Sequence, residues 1–239
     1  RDIFKAHDLV SVDPSWGLEK LESCALTGKS AIMKVLLEEL GVKVPFVSGN
    51  EGMSPLALAC GSCSYYGDAD FAGVVLLLIA HGANVNEKNK LGRTLLHYVA
   101  FACEPSSVRI ASILIQNGVD VDVLSALNET PLSIATGSMV RFGEITKENM
   151  FDQFSLVETL LLEGANVFTK CHGITCLQNA RDFDENLYII DLLEDVDEKL
   201  CERRDVTGQA FAGHQLLRHV ESEYIDEILE RTRKYDTRR

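Results

Sequence analysis

Runs of apolar residues at helical spacing alternate with polar segments along most of this chain. The runs that end near Leu78 and Ile115 are each followed within a few residues by a glycine. Glycine adopts the left-handed conformation that ends many helices, because it has no Cβ to clash. The pattern therefore predicts helices that stop at Gly41, Gly82, Gly118 and Gly164.

A second recurring feature predicts where helices start. Ser54, Thr94, Thr130 and Thr175 each precede an apolar run, and their side chains can accept hydrogen bonds from the first amides of a helix. Pro55 and Pro131 follow two of them, where a missing N–H costs nothing. The polar segment before each start carries a residue that tolerates positive φ in a tight turn, namely Gly52, Gly92, Asn128 or Gly173.

Starts and stops in a fixed order indicate a repeat unit of helix, connection, helix and turn. The motifs TLLH from Thr94, TPLS from Thr130 and HGANVN from His81 resemble the TPLH and GADVN-type segments of the ankyrin repeat. This resemblance implies an all-α solenoid of helix pairs with projecting β-turn fingers. The helix starts are spaced more widely than the family's period of about 33 residues, so every unit is lengthened, within 61–73, 103–108 and 137–153.

The pattern predicts three parts of the chain. Residues 1–14 form a lead-in, 15–204 form an ankyrin-repeat domain of about five helix pairs, and 205–239 form a helical C-terminal cap with features of a degenerate repeat. A separate effector-binding helix is the alternative for the last part. The chain begins with Arg1 rather than with a methionine, which favours a fragment of a longer protein. The insertion 137–153 either binds another molecule or is extra length without a role. Extra length is tolerated because insertions at a surface cost little stability.

Composition narrows the function classes. The net charge of −13 repels a phosphate backbone, so nucleic-acid binding is not expected. No apolar run reaches the roughly 20 residues that span a bilayer, so membrane insertion is not expected either. The 7 cysteines are odd in number and scattered, which favours reduced thiols. The expected location is the cytoplasm, with the nucleus as the alternative.

Candidate chemistry is sparse. Cys60 and Cys63 have C-x-x-C spacing, but a structural zinc site needs four ligands and no second pair follows. Nucleotide-binding and nucleophile-elbow motifs are absent. By the resemblance, His97 fills the last position of the TPLH-type motif, where its imidazole bonds backbone groups and links neighbouring turns. The sequence predicts no catalytic site, no metal and no cofactor.

The resemblance implies binding through the turn tips and the exposed side of the first helices, along a concave surface. Apolar residues at solvated tips weigh most, because such a patch usually marks a partner site; the alternative is that they brace adjacent turns. Position by position, the predicted partner-binding residues are Asn50, Glu51, Met53, Lys88, Lys90, Leu91, Arg93, Phe101, Leu124, Leu127, Glu129, Lys170 and His172.

Lys88, Lys90 and Arg93 make one turn locally basic on an acidic protein. They are either an anchor for an acidic segment of a partner or three solvated side chains. The predicted function is a non-catalytic protein–protein interaction module, a scaffold or adaptor. The alternative is the regulatory ankyrin portion of a larger enzyme, channel or ligase-adaptor protein.

Overall fold

The computed structural model describes residues 14–44, 53–62, 69–137, 147–182 and 189–196. Almost all of the predicted lead-in and the whole predicted C-terminal cap lie outside these residues. The helices are α1 (Pro14–Thr27), α2 (Ser30–Lys34, continued by a π-helical turn over Val35–Glu39), α3 (Pro55–Gly61), α4 (Phe71–Ala80), α5 (Leu95–Ala102), α6 (Ser107–Gln116), α7 (Pro131–Gly137), α8 (Lys147–Leu162) and α9 (Cys176–Arg181). Residues 189–196 are also helical.

The helices pack as two rows. The first helices of the units, α1, α3, α5, α7 and α9, contact one another in succession, and the second helices, α2, α4, α6 and α8, form a parallel succession. The first helices α1, α3, α5 and α7 each also contact the second helix that follows. The only β-bridge among the described residues joins Cys171 and Ile174. The all-α, paired-helix prediction is therefore confirmed, and each unit packs mainly on its neighbours, as in a solenoid.

The core lies between the two rows. Leu96 and Leu132 are buried on successive first helices, and Leu78 and Leu114 are buried on successive second helices. These side chains belong to one cluster that runs from the first described helix to residue 196. Each buried leucine contributes about 1.5–3 kcal/mol, so the stack is held together by apolar contacts that span neighbouring units.

The predicted helix starts form the expected caps. Ser54 Oγ accepts a hydrogen bond from the Ala57 amide at 3.0 Å. Thr130 and Ser133 cap reciprocally: Thr130 Oγ1 accepts from Ser133 N at 3.1 Å, and Ser133 Oγ accepts from Thr130 N at 2.9 Å. Thr175 pairs in the same way with Gln178 three residues later. These bonds satisfy amides that the helix itself leaves without acceptors.

The predicted helix stops are also confirmed. The four stop glycines have φ between +65° and +97°, a range that a side chain rarely tolerates. At each of them the next amide bonds back into the helix. These bonds run from Val42 N to Leu36 O at 2.9 Å, from Ala83 N to Leu78 O at 3.0 Å, from Val119 N to Leu114 O at 3.2 Å and from Ala165 N to Leu160 O at 2.9 Å.

Part of the insertion predicted over 137–153 is helical. Helix α8 begins at Lys147, so its first two turns fall within the segment assigned to the insertion. Gln153 is buried, and its Nε2 donates to Ala135 O at 2.7 Å. That carbonyl lies in the last turn of α7, and the carbonyls of a last turn need hydrogen-bond donors from outside the helix. A polar residue placed in the insertion therefore anchors α8 against α7.

Candidate functional site

Three turns between units lie wholly within the described residues, and each is fixed by its own hydrogen bonds. In turn A, defined as residues 84–93, the side chain of Asn89 holds the turn in its conformation. Its Oδ1 accepts from the amides of Leu91 and Arg93, both at 2.9 Å, and its Nδ2 donates to Tyr98 Oη at 2.9 Å. The backbone amide of Asn89 also donates to Arg93 O at 3.0 Å. The turn is therefore closed and held to the start of α5.

Turn B, defined as residues 120–129, repeats this design with serine. Ser125 is buried, and its Oγ accepts from the amides of Leu127 and Glu129, both at 3.2 Å. Its backbone amide donates to Glu129 O at 2.9 Å. Because Ser125 holds the turn from within, Leu124 and Leu127 on either side of it are exposed.

Turn C, defined as residues 166–174, is closed by two backbone bonds. Cys171 N donates to Ile174 O at 2.8 Å, and Ile174 N donates to Cys171 O at 3.1 Å. Between them His172 and Gly173 both have positive φ, +54° and +86°. His172 and Lys170 are exposed at this tip, in agreement with their predicted position on a turn.

His97 links turn B to the start of α5. Its Nδ1 accepts from the amide of Thr94 at 3.0 Å, and its Nε2 donates to Glu129 O at 3.0 Å. The ring is completely buried, and burial lowers the pKa of His97. The imidazole is therefore neutral, with both nitrogens in hydrogen bonds. This confirms the structural role that the motif implied.

Further bonds join the three turns into one row. Ala126 N donates to Leu91 O at 2.7 Å, which connects turn B to turn A. Asn128 Nδ2 donates to Lys170 O at 3.4 Å, and Asn166 N donates to Asp122 Oδ1 at 2.9 Å, which connect turn C to turn B. The "turn row" of A, B and C is therefore braced from one unit to the next.

Arg93 and Glu129 lie within this bracing. Arg93 Nη2 is 2.8 Å from Glu129 Oε2, and the two side chains are only 22% and 15% exposed. Both were predicted as partner-binding residues. Their charges face each other across turns A and B, so the basic cluster predicted from the sequence is reduced to Lys88 and Lys90, which are exposed.

Glu87 makes a similar contact on the other side of turn A. Ser54 Oγ donates to Glu87 Oε1, so the carboxylate lies over the start of α3. Burial raises the pKa of the Glu87 carboxyl. A second acid of the turn row is thus turned inward, toward the preceding unit.

The remaining predicted residues separate by exposure. Leu91, Phe101, Leu124 and Leu127 are exposed large apolar side chains. Met53 is half-buried and packs against the core. Asn50 and Glu51 lie outside the described residues. We call Leu91, Leu124 and Leu127 the leucine ridge, since they lie on the two turns that share the Leu91–Ala126 hydrogen bond.

Asn89 and Ser125, the two residues that shape turns A and B, were not among the residues predicted from the sequence. A signal was present, because each stands five residues before the start of a helix, at Thr94 and Thr130. Asn and Ser favour such turns by bonding backbone amides two residues ahead. Their equal offset from the helix start identifies the turn as part of the repeat.

In the part of the chain that the structure describes, there is little support for a metal site, a nucleophilic thiol or a membrane span. No group of three or more His, Cys, Asp or Glu there could hold a metal ion. The described cysteines are buried thiols, and burial raises the pKa of Cys176 to about 12. A thiol with so high a pKa is a poor nucleophile. No described helix is long and apolar enough to cross a bilayer.

The tightness of the turn row gives a stability prediction. We expect Gly92→Ala to destabilise the fold by about 1–2 kcal/mol, because φ is +68° and an added Cβ would lie 3.2 Å from Ala126 N. Gly173→Ala is the control, since φ is +86° there and nothing lies within 4 Å of the added Cβ. Urea unfolding should give the larger loss for Gly92→Ala. Equal losses would mean that the approach of turns A and B is not tight.

Comparison with known proteins agrees with this geometry. The ankyrin repeat family model matches residues 51–90 and 91–126, which include turn A and most of turn B. An ankyrin repeat protein of Acanthamoeba polyphaga mimivirus is 29% identical over 98 residues, an alignment that covers 41% of this chain and 13% of the relative. The chain thus spans only a small part of that relative. Because these matches coincide with paired helices and TPLH-type caps, we conclude that residues 51–126 are ankyrin repeats.

Proposed function

We propose that this chain is a non-catalytic interaction module that binds a partner protein or peptide through the turn row and the exposed side of the first helices. Ankyrin repeats are in general protein–protein interaction modules, and the family is typically non-enzymatic. The observation that carries the proposal is the leucine ridge, three large apolar side chains exposed on hydrogen-bonded turns. Apolar side chains that cluster on a surface usually mark a contact with a partner.

The bracing of the turns supports this use of the ridge. A flexible loop loses conformational entropy when it binds, and this loss weakens the complex. Turns A and B are already closed around Asn89 and Ser125 and joined by the Leu91–Ala126 bond. The leucines therefore stand on a surface that is ordered before a partner arrives.

Phe101 extends the candidate surface onto a first helix. It lies near the end of α5 and is exposed, on the helix that follows turn A directly. Aromatic residues are frequent among the few side chains that contribute most of the energy of an interface. A partner that contacts both the ridge and Phe101 would cover turn tips and helix together.

The test is loss of partners on changing the ridge. Proteins captured from an extract by the wild-type chain should be depleted about tenfold or more with Leu124→Ser/Leu127→Ser, since each residue is expected to contribute more than about 1 kcal/mol. Leu76→Ser is the control: Leu76 is 44% exposed, against 46% and 42% for Leu124 and Leu127, but it lies on α4 in the second row. Circular dichroism would show that both variants fold.

Two results would contradict the proposal. If the double variant and the control retain the same partners, the ridge is not the binding surface. If Leu76→Ser alone loses them, the second row of helices is the surface instead.

A regulatory ankyrin portion of a larger enzyme, channel or ligase-adaptor protein is the second candidate. It is favoured by one observation, that the mimivirus relative extends far beyond the aligned 13% of its length. Sequencing the full transcript would decide, because this candidate requires a further catalytic, channel or adaptor segment in the same reading frame.

A further inference from the structure

We propose, on the basis of the proposed function, that the partner segment has acidic residues toward both ends and large apolar residues between them. The exposed side chains along the turn row have the complementary order, with lysines at both ends and leucines between them. Turn B presents Leu124 and Leu127, and the turns on either side present exposed lysines: Lys88 and Lys90 in turn A and Lys170 in turn C. A segment lying along the row would meet cations, then leucines, then a cation.

The three lysines are available to a partner. None of them takes part in an ion pair among the described residues, where the pairs are Glu19–Lys20, Lys34–Glu38, Arg93–Glu129 and Arg181–Glu194. An ammonium group on a long flexible stem suits a carboxylate whose position is not sharply fixed. Lys88, Lys90 and Lys170 therefore offer charge without competing contacts in the described structure.

The acids of the same turns take part in an ion pair or in hydrogen bonds within the stack. Glu129 is paired with Arg93, and Glu87 accepts from Ser54. Asp122 Oδ1 accepts from Asn166 N at 2.9 Å, and the exposed Asp120 accepts from Asp122 N, also at 2.9 Å. Turns A and C therefore present exposed lysines, while Asp120 and Asp122 keep their negative charge in turn B, between them.

The range of the attraction is short. At physiological salt, charges are screened over about 8 Å, so acids elsewhere on the chain have little effect on a carboxylate at the tips. The lysines therefore select charge only in the parts of a partner that lie directly on turns A and C.

The spacing of the units predicts the spacing of the acids. Packed helices lie about 8–10 Å apart, and turns A and C are two units apart, so their tips are separated by about 20 Å. An extended peptide advances about 3.3 Å per residue. We therefore expect the two acidic positions to be separated by about six residues, with apolar residues at the centre.

A displayed library of random 14-residue peptides tests this inference without a known partner. The library is selected on the wild-type chain alone, and the enriched peptides are then assayed on Lys88→Glu/Lys90→Glu/Lys170→Glu. Lys20→Glu/Lys29→Glu/Lys34→Glu is the matched control, since it makes the same change of charge on the α1–α2 unit. Enriched peptides should carry the acidic, apolar, acidic order.

A representative synthetic peptide then gives the magnitude. Fluorescence anisotropy should show binding to the wild-type chain and to the control, and at least about tenfold weaker binding to the Lys88, Lys90 and Lys170 variant. A peptide of identical composition with its acids moved to the centre should be weakened by a similar factor.

Failure of the inference is distinguishable from failure of the proposed function. Selection of apolar peptides without acids, of peptides acidic at one end only, or of peptides that bind the Lys88, Lys90 and Lys170 variant equally well would overturn the inference and leave the leucine ridge as a binding surface. If the selected peptides bind Leu124→Ser/Leu127→Ser as well as wild type, both the inference and the proposed function are wrong.

Discussion

Replacing His97 with alanine is expected to lower the free energy of unfolding by about 2–4 kcal/mol. The change removes the acceptor of the Thr94 amide and the donor to Glu129 O. A buried polar group that loses its partner costs about 1–3 kcal/mol, and two such groups lie in one connected network. Urea unfolding followed by circular dichroism would measure the loss.

A graded series separates the two bonds. In this chain Gln178 caps Thr175 from the same third position of a helix, with its Oε1 accepting the Thr175 amide at 2.9 Å. His97→Gln should therefore restore the cap of Thr94 but not the bond to Glu129 O, and about half of the loss should remain. His81→Ala is the control, since His81 is exposed at the end of α4. A His97→Ala variant within about 0.5 kcal/mol of wild type would contradict the role of this network.

The pH dependence gives a second signature of His97. Its pKa in the folded chain lies below the ordinary value of 6.5, chiefly through burial. As pH falls below 6.5 the unfolded chain therefore binds a proton that the folded chain does not, and wild type loses stability. His97→Gln lacks this loss, so the advantage of wild type over the variant should shrink between pH 7 and about 5.

The comparison must be made between variants, because other groups titrate in the opposite direction. Burial raises the folded pKa of several carboxyls, so the folded chain binds their protons more readily and gains stability as pH falls. These carboxyls belong to Glu87, Glu104, Asp122 and Glu158. They are unchanged in His97→Gln, and their contributions therefore cancel in the difference.

Local chemistry explains why so much of the fold could be predicted. A capping hydroxyl acts within three residues, as Thr130 and Ser133 do, and a stop glycine acts within one turn of helix. The apolar period of each unit therefore agrees with its helix-start and helix-stop residues. Because this agreement recurs four times, the assignment of helices is less ambiguous than it would be from one unit. Even the role of His97 followed from its place in the motif.

The candidate site was harder to predict because its contacts cross between units. Arg93 and Glu129 are 36 residues apart in the sequence, and nothing near either residue indicates that they pair. Glu87 and Ser54 are likewise 33 residues apart. The sequence identified which side chains stand on the turns, but only the packing of successive units decides which of those charges remain exposed.

The same limit explains the misassigned insertion. Lys147 to Gln153 is polar enough to suit a loop, and the hydrogen bond that holds Gln153 ends on Ala135, in the preceding helix. Helix propensity alone does not supply this contact. Tertiary packing extended α8 beyond the length that its apolar period indicated.

The largest effect on stability is expected from Leu114→Ala, at about 3–5 kcal/mol. Leu114 is completely buried on α6, and truncation removes apolar contacts and leaves a cavity. Leu76→Ala is the matched control on α4, where the side chain is 44% exposed and the loss should be about 1 kcal/mol or less. Thermal and urea unfolding of both variants would measure the difference.

The position of Leu114 in the stack adds a further expectation. Helix α6 contacts both α4 and α8, so a cavity there weakens the interfaces on both sides of the central unit. In a solenoid, cooperativity depends on these nearest-neighbour interfaces. Leu114→Ala should therefore also lower the urea m-value, because the flanking units begin to unfold separately. An unchanged m-value with the full loss of stability would show that the units stay coupled through the first helices and the turn row, whose bonds from Leu91 to Ala126 and from His97 to Glu129 are intact in this variant.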